Sequence, residues 1–216
     1  MMEKQPANRL YQQIKDDIRK NQLPVGSPLK QVALSERYDV SRIPIRDVLA
    51  RLRSEGWLTE CGKRGVMIPP LSATQAEDLY LMRMYLEPLI LNHAVPKISN
   101  QVLGKAEDLL EQMALETSND IMLQGELNWQ FHACLYRAAE RPTLFNTIAS
   151  LHQQCARYIG YHSLELAYLE TSQGEHYQLL DAVKNKHTSK AKNILKAHIS
   201  EAGEILVAHL LRSLQF

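Results

Sequence analysis

The chain has 216 residues, 45% of them hydrophobic, which is ample for a buried core in one large domain or two small ones. No apolar run approaches the roughly 18 residues a helical membrane span needs, and the start of the chain has no hydrophobic signal core. The formal net charge of +1 hides an asymmetry: residues 1–70 carry 13 Lys/Arg against 8 Asp/Glu, or +5, and residues 71–216 carry 12 against 16, or −4.

All eight histidines lie beyond residue 70. The basic first third therefore suits an anionic partner, and the remainder has the side chains to hold a metal or a proton. Cys61, Cys134 and Cys155 are odd in number and widely separated, which argues against a disulfide framework and for a reducing compartment. The expectation is a soluble cytoplasmic protein.

In chain order, Leu10, Ile14 and Ile18 recur at four-residue spacing and predict a helix over residues 8–20. The turn LPVGSP follows. Val32, Leu34 and Tyr38 predict a second helix over 31–38, and Ile45, Val48, Leu49 and Leu52 a third over 42–54, ended by Gly56. Residues 57–60 and 66–68 are β-prone around CGKRG, so they predict a hairpin with Lys63, Arg64 and Gly65 at its tip.

The third helix opens within VSRIPIRDVL. Ser41 is placed to cap it, with its hydroxyl accepting from first-turn N–H groups, and Pro44 falls where a missing N–H costs little. Arg42 and Arg46 share one face of that first turn, where helix polarity adds to their charge. Three helices and a two-stranded wing make a winged helix-turn-helix, whose third helix enters the major groove of DNA. Arg42 and Arg46 are the candidate base or phosphate readers, with Ser41 beside them at the DNA-facing end of the helix, and Lys30, Lys63 and Arg64 are the candidate phosphate anchors. Arg51 and Arg53 read as a solvated helix face.

The run LPVGSPLKQVALSERYDVSRIPIRDVLARLRSEGWLTECGKRGVMI resembles the DNA-binding domain of the GntR family of bacterial transcription regulators, over about 60 residues with turn, recognition helix and wing in register. The resemblance implies that Arg42, Arg46 and Gly65 stand at positions used on DNA. Ile43, where a threonine is common, and Val32, where some members place an arginine, depart from the pattern.

Beyond Pro69-Pro70 the pattern changes to long helices. Leu79, Met82, Leu86, Leu89 and Ile90 predict one apolar face, bounded by Pro96; Val102, Leu109, Leu110 and Met113 predict another. Further helices are expected over 121–139, 144–162, 175–184 and 189–211. The fold class is thus mainly α: a winged helix-turn-helix over residues 1–70 and an all-α antiparallel bundle of six to seven helices over 71–216.

Bundles build ligand sites from polar side chains on facing helices. Asn128 and His132 are four apart on one face, and His176 and His198 come from two later helices. Three imidazoles and an oxygen donor suit zinc, nickel, copper or manganese. His93, His152, His162, His187 and His209 read as surface or satisfied polar residues.

LYLMRMYLEPLILNHA, NWQFHACLYRAA and EHYQLLDAVKNKHTSKAKNILKAHI resemble the FCD effector-binding domain of the FadR-type branch. That resemblance implies a divalent metal (zinc, nickel or manganese) held by His132, His176 and His198, with Asn128 where the pattern has an aspartate. It also implies a small carboxylate effector, with Arg83 as anion clamp and Arg157 as a second, and a homodimer that represses from a near-palindromic operator. Two other readings stand beside it: a metal-free bundle that only dimerises, and a metal-dependent hydrolase joined to a DNA-binding module. The hydrolase needs a general base, and Glu175, preceding His176, is expected to point elsewhere.

Overall fold

The computed structural model describes residues 4–62, 65–116, 121–158 and 166–213. The chain divides into two compact units, Met1–Leu71 and Ser72–Phe216.

In the first unit, α1 (Lys4–Arg19), α2 (Gln31–Tyr38) and α3 (Arg42–Ser54) precede a hairpin of β1 (Thr59–Glu60) and β2 (Val66–Met67), paired antiparallel. Leu10, Ile14 and Ile18 of α1, Leu34 of α2 and Ile45, Val48, Leu49 and Leu52 of α3 form the core. The first strand is shorter than the β-prone run 57–60, because Trp57 and Leu58 are buried as core side chains before pairing begins. Gly56, at φ +81, closes α3: its N–H donates to Arg53 O at 3.0 Å and Trp57 N–H to Leu52 O at 2.9 Å. These two bonds satisfy end-of-helix carbonyls, and the left-handed position between them favours glycine.

The tight turn before α3 uses Asp39 at φ 50, with Val40 N–H donating to Ser35 O at 3.1 Å. Tyr38 donates its hydroxyl to Asp17 at 2.7 Å and Arg37 pairs with the same carboxylate at 2.8 Å, tying α2 to α1. Ser41 occupies the N-cap with extended backbone, but its side chain makes no capping bond. That corrects the expected hydroxyl cap. A cap oxygen bonds the second or third helical N–H, and the third residue here is Pro44, which has none.

In the second unit, α4 (Ala73–Ala94) packs against α6 (Ile121–Arg137), α7 (Pro142–Cys155) and α9 (Thr188–Ser213), while α5 (Asn100–Leu115) packs on α6 and α8 (Leu166–Lys184). A single 3-10 turn, Val95–Lys97, separates α4 from α5. Ser72 caps α4 by accepting from Gln75 N–H at 3.2 Å, and Ser99 caps α5 by accepting from Val102 N–H at 3.3 Å. Gly203 of α9 faces Tyr80 of α4, where an added Cβ would lie 2.8 Å from the tyrosine Cβ. Glycine is thus what allows these two helices to approach so closely.

The inner face of α4 differs from the apolar stripe expected. Ala76, Leu79, Tyr80, Arg83, Glu87, Ile90, Leu91 and Ala94 are buried, whereas Met82 and Leu89 are 43% and 46% exposed. Two buried charges sit within the helix's core face, and several of its apolar side chains face outward. Among the described residues, no helix is long and apolar enough to cross a membrane.

Candidate nucleic-acid interface and metal centre

The N-terminus of α3 presents Ser41, Arg42 and Arg46, all exposed, on one end of a helix whose other face is anchored in the core. Among the described residues, the side chain of Arg42, like that of Lys30 before α2, has no hydrogen-bonded or ionic partner. Arg46 pairs with Asp47 at 3.2 Å, with both side chains more than 60% exposed, a contact of little energetic weight that a phosphate or base could replace. Without a cap bond, the Ser41 hydroxyl is also available. Arg51 and Arg53, by contrast, bond Glu55 at 2.9 Å and Glu60 at 2.7 Å, as a structural helix face should. Gly65 has φ +101 and accepts from Cys61 N–H at 2.8 Å, closing the wing; Lys63 and Arg64 lie outside the described residues.

Within the second unit, His132 of α6, His176 of α8 and His198 of α9 are buried and bring one ligand atom each to within 4.8 Å of the others. His132 Nε2 and His176 Nε2 are 3.2 Å apart. Two nitrogens bound tetrahedrally to one zinc at its usual bond length would be separated by about 3.3 Å. Asn128, one turn before His132, has a buried Oδ1 without a partner, and His176 Nδ1 is likewise unpaired. An unpaired buried carbonyl oxygen is costly alone but is a ready donor to a cation. The three nitrogens therefore fit a divalent metal, and the orphaned Asn128 oxygen, one helical turn before His132, is of the chemistry such an ion takes.

Electrostatics favour lone pairs over protons there. Burial, then the neighbouring His176 and His198 rings, hold the His132 imidazole well below its ordinary pKa; burial, then His198, does the same to His176. Both rings are neutral near pH 7.

Around the triad lies a second layer that the sequence reading missed. Glu87 of α4 is fully buried; its carboxylate accepts from Arg83 Nε at 2.7 Å and the Tyr136 hydroxyl at 2.6 Å, and lies 3.0 Å from His152 Nε2. Burial would raise the Glu87 pKa, but the Arg83 guanidinium, followed by His152, holds it well below the usual carboxylate range. The same Tyr136 hydroxyl is 3.3 Å from His132 Nδ1. His152, read as an ordinary polar residue, lies with its ring centroid 4.2 Å from the Trp129 ring, tilted against it by 34°, and 6.4 Å from the His132 ring.

Arg83, expected as an anion clamp, is buried and already paired with Glu87, with its guanidinium 4.8 Å from the Tyr80 ring. Arg157 is 8% exposed, and burial lowers its pKa. Glu175 does not point away from the centre: its carboxylate is 2.7 Å from His198 Nδ1. Glu126 is exposed and bonds Gln130 at 3.1 Å. His93 lies 3.1 Å from the Arg141 guanidinium, and His162 is outside the described residues.

Comparison with known proteins places both units. Residues 6–68 match the family described as bacterial regulatory proteins, gntR family, and residues 78–201 match the FCD domain. The Nta operon transcriptional regulator of Aminobacter aminovorans is 32% identical over 147 residues, covering 66% of this chain and 69% of its own. The transcriptional repressor RspR of Escherichia coli is 26% identical, covering 68% of this chain and 65% of its own. The solved structure of McbR/YncC from E. coli superposes with a TM-score of 0.73 at 22% identity, over 93% of this chain and 96% of that one, a likeness of fold.

Proposed function

The chain belongs to the GntR family of bacterial regulatory proteins and carries an FCD domain, and from that premise we propose how this DNA-binding transcriptional regulator is controlled. His132, His176, His198 and Asn128 would hold a divalent metal, which would supply a Lewis-acidic site for a small organic acid in the bundle, and binding of that acid changes affinity for the operator. Proteins of these families are transcriptional regulators and not enzymes, so the hydrolase reading is set aside.

The observation that carries the proposal is the convergence of three imidazoles from three helices, with an unpaired buried Asn128 oxygen one helical turn before His132. A donor set of imidazoles and an amide leaves the metal its full charge, which favours an anionic ligand at its remaining positions. Arg83 is the nearby cation of this reading and Arg157 the second; an entering carboxylate competes with Glu87 for the Arg83 guanidinium. Such competition gives the ligand a handle on α4, and a ligand shifts a conformational equilibrium only by its different affinity for the two states.

On DNA, Arg42 and Arg46 enter the major groove, Ser41 and Lys30 hold phosphates, and the wing with Lys63, Arg64 and Gly65 follows the backbone. The protein acts as a cytoplasmic homodimer. Leu81, Met82, Tyr85 and Leu89 form an exposed apolar surface along α4, of the kind a second copy would cover. Repression is the proposed sign, in keeping with the name of the relative RspR. The test is a mobility-shift titration on a duplex selected from random sequence, with zinc and a panel of small carboxylates. A change in operator affinity that needs both metal and acid supports the proposal; affinity indifferent to both contradicts it.

A further inference from the structure

The metal reading leaves a charge unaccounted for, because Asn128 contributes an oxygen without a negative charge. Three imidazoles and an amide oxygen are all neutral donors. In a buried chamber a divalent ion held only by neutral donors is stabilised less than one with a carboxylate close by, since little solvent screens the charge. Glu87 reaches His132 only through the Tyr136 hydroxyl, and its charge is already matched by Arg83 and approached by His152. Glu126 is exposed and turned to Gln130. Among the described residues, Glu175 is the carboxylate that bonds a triad histidine directly, 2.7 Å from His198 Nδ1, with its side chain 20% exposed and no cationic side chain paired to it.

Helix geometry explains the reach. Successive residues on α8 are about 100° apart, so a residue next to His176 lies on the flank of the same inward face, toward the helix that packs beside it. That neighbour is α9, which carries His198. A carboxylate at Nδ1 makes that nitrogen the N–H donor and leaves the lone pair on Nε2 available as a ligand.

We propose that Glu175 is a positioning residue of the histidine centre, orienting His198 as a ligand and supplying from outside the coordination sphere the negative charge that Asn128 does not supply within it. The assignment rests on the metal reading above. It separates two contributions, orientation and charge, because Glu175→Gln keeps an oxygen that accepts from Nδ1–H while Glu175→Ala removes both.

The experiment is zinc affinity of the full chain by competition with a chromophoric chelator, for the unaltered protein, E175Q, E175A, N128D and N128D/E175Q. The melting temperature of each metal-free form is measured alongside. Loss of an outer partner of a metal-bound histidine typically weakens binding about 10- to 100-fold. E175Q is expected near the lower end of that range and E175A near the upper, with metal-free melting temperatures unchanged. N128D/E175Q is expected to bind zinc at least as tightly as the unaltered protein, since the charge has moved inward. Unchanged zinc affinity in E175Q and E175A overturns the assignment while leaving the metal reading intact, as does weakened binding that tracks a lowered metal-free melting temperature and is not restored by N128D. Failure of the unaltered protein to bind zinc overturns both.

Discussion

Glu87 and Tyr136, on different helices and 49 residues apart in sequence, share a 2.6 Å hydrogen bond with the carboxylate fully buried. Glu87 is also the counter-ion of buried Arg83 at 2.7 Å. Removing one member leaves the other charge buried and uncompensated. Glu87→Ala should therefore lower unfolding free energy by about 3–5 kcal/mol, measured by urea titration. Arg83→Met/Glu87→Leu should cost much less than the two single changes combined, because no charge is then stranded. Additive losses would show that the pair does not act as a unit.

Gly203→Ala places a Cβ 2.8 Å from Tyr80 Cβ, between two helices whose backbones cannot easily separate. Overpacking of that kind costs about 1–3 kcal/mol. The expected result is a lower thermal midpoint with helical content retained; an unchanged midpoint would mean that α4 and α9 yield at no cost.

The metal-free protein should lose stability on mild acidification. His132 and His176 have pKa values held well below the ordinary histidine value when folded, and regain about 6.5 when unfolded. Below that pH the unfolded chain binds more protons than the folded one, so stability present above about 6.5 is lost as pH falls toward the folded values. Urea midpoints at pH 7.5 and 5.5 measure this. The fall should be smaller in His132→Leu/His176→Leu, and a midpoint that rises on acidification would contradict the neutral-imidazole account.

On DNA, Arg46→Ala and Arg42→Ala should each cost about 1–3 kcal/mol and relax base preference at the contacted position if they read bases. Lys30→Ala should weaken all duplexes alike and make the salt dependence shallower by about one unit of slope. Binding isotherms on selected and mismatched duplexes across a salt series distinguish the two outcomes. Equal behaviour of all three variants would deny α3 a reading role.

The DNA-binding unit was largely legible because its information is local. VSRIPIRDVL contains a helix start, a proline in the first turn and two arginines on one face, and Gly56 and Gly65 hold the left-handed positions that end α3 and close the wing. The Ser41 cap had one of its two candidate donors removed in a way also visible locally, since Pro44 has no N–H. Among the described residues, the bundle was legible in its helices and in the meeting of its three histidines. Its buried ion pair was not: Arg83 was expected in the bundle as an anion clamp, but Glu87, which a hydropathy pattern assigns to the surface, was not foreseen as its partner, and Met82 and Leu89 face outward instead of lining the core. Arg83 and Glu87, four apart between buried aliphatics, were the available signal. His152 meets Glu87 across 65 residues, a pairing that no spacing rule gives.

The measurement that tests the account most directly is operator affinity in the presence of zinc and a carboxylate panel, for the unaltered protein and His176→Ala side by side. The account predicts that at least one acid changes affinity in the unaltered protein, that stripping the metal abolishes this response, and that His176→Ala binds the operator but ignores the acid. An acid response of equal size in metal-free protein and in His176→Ala would contradict it.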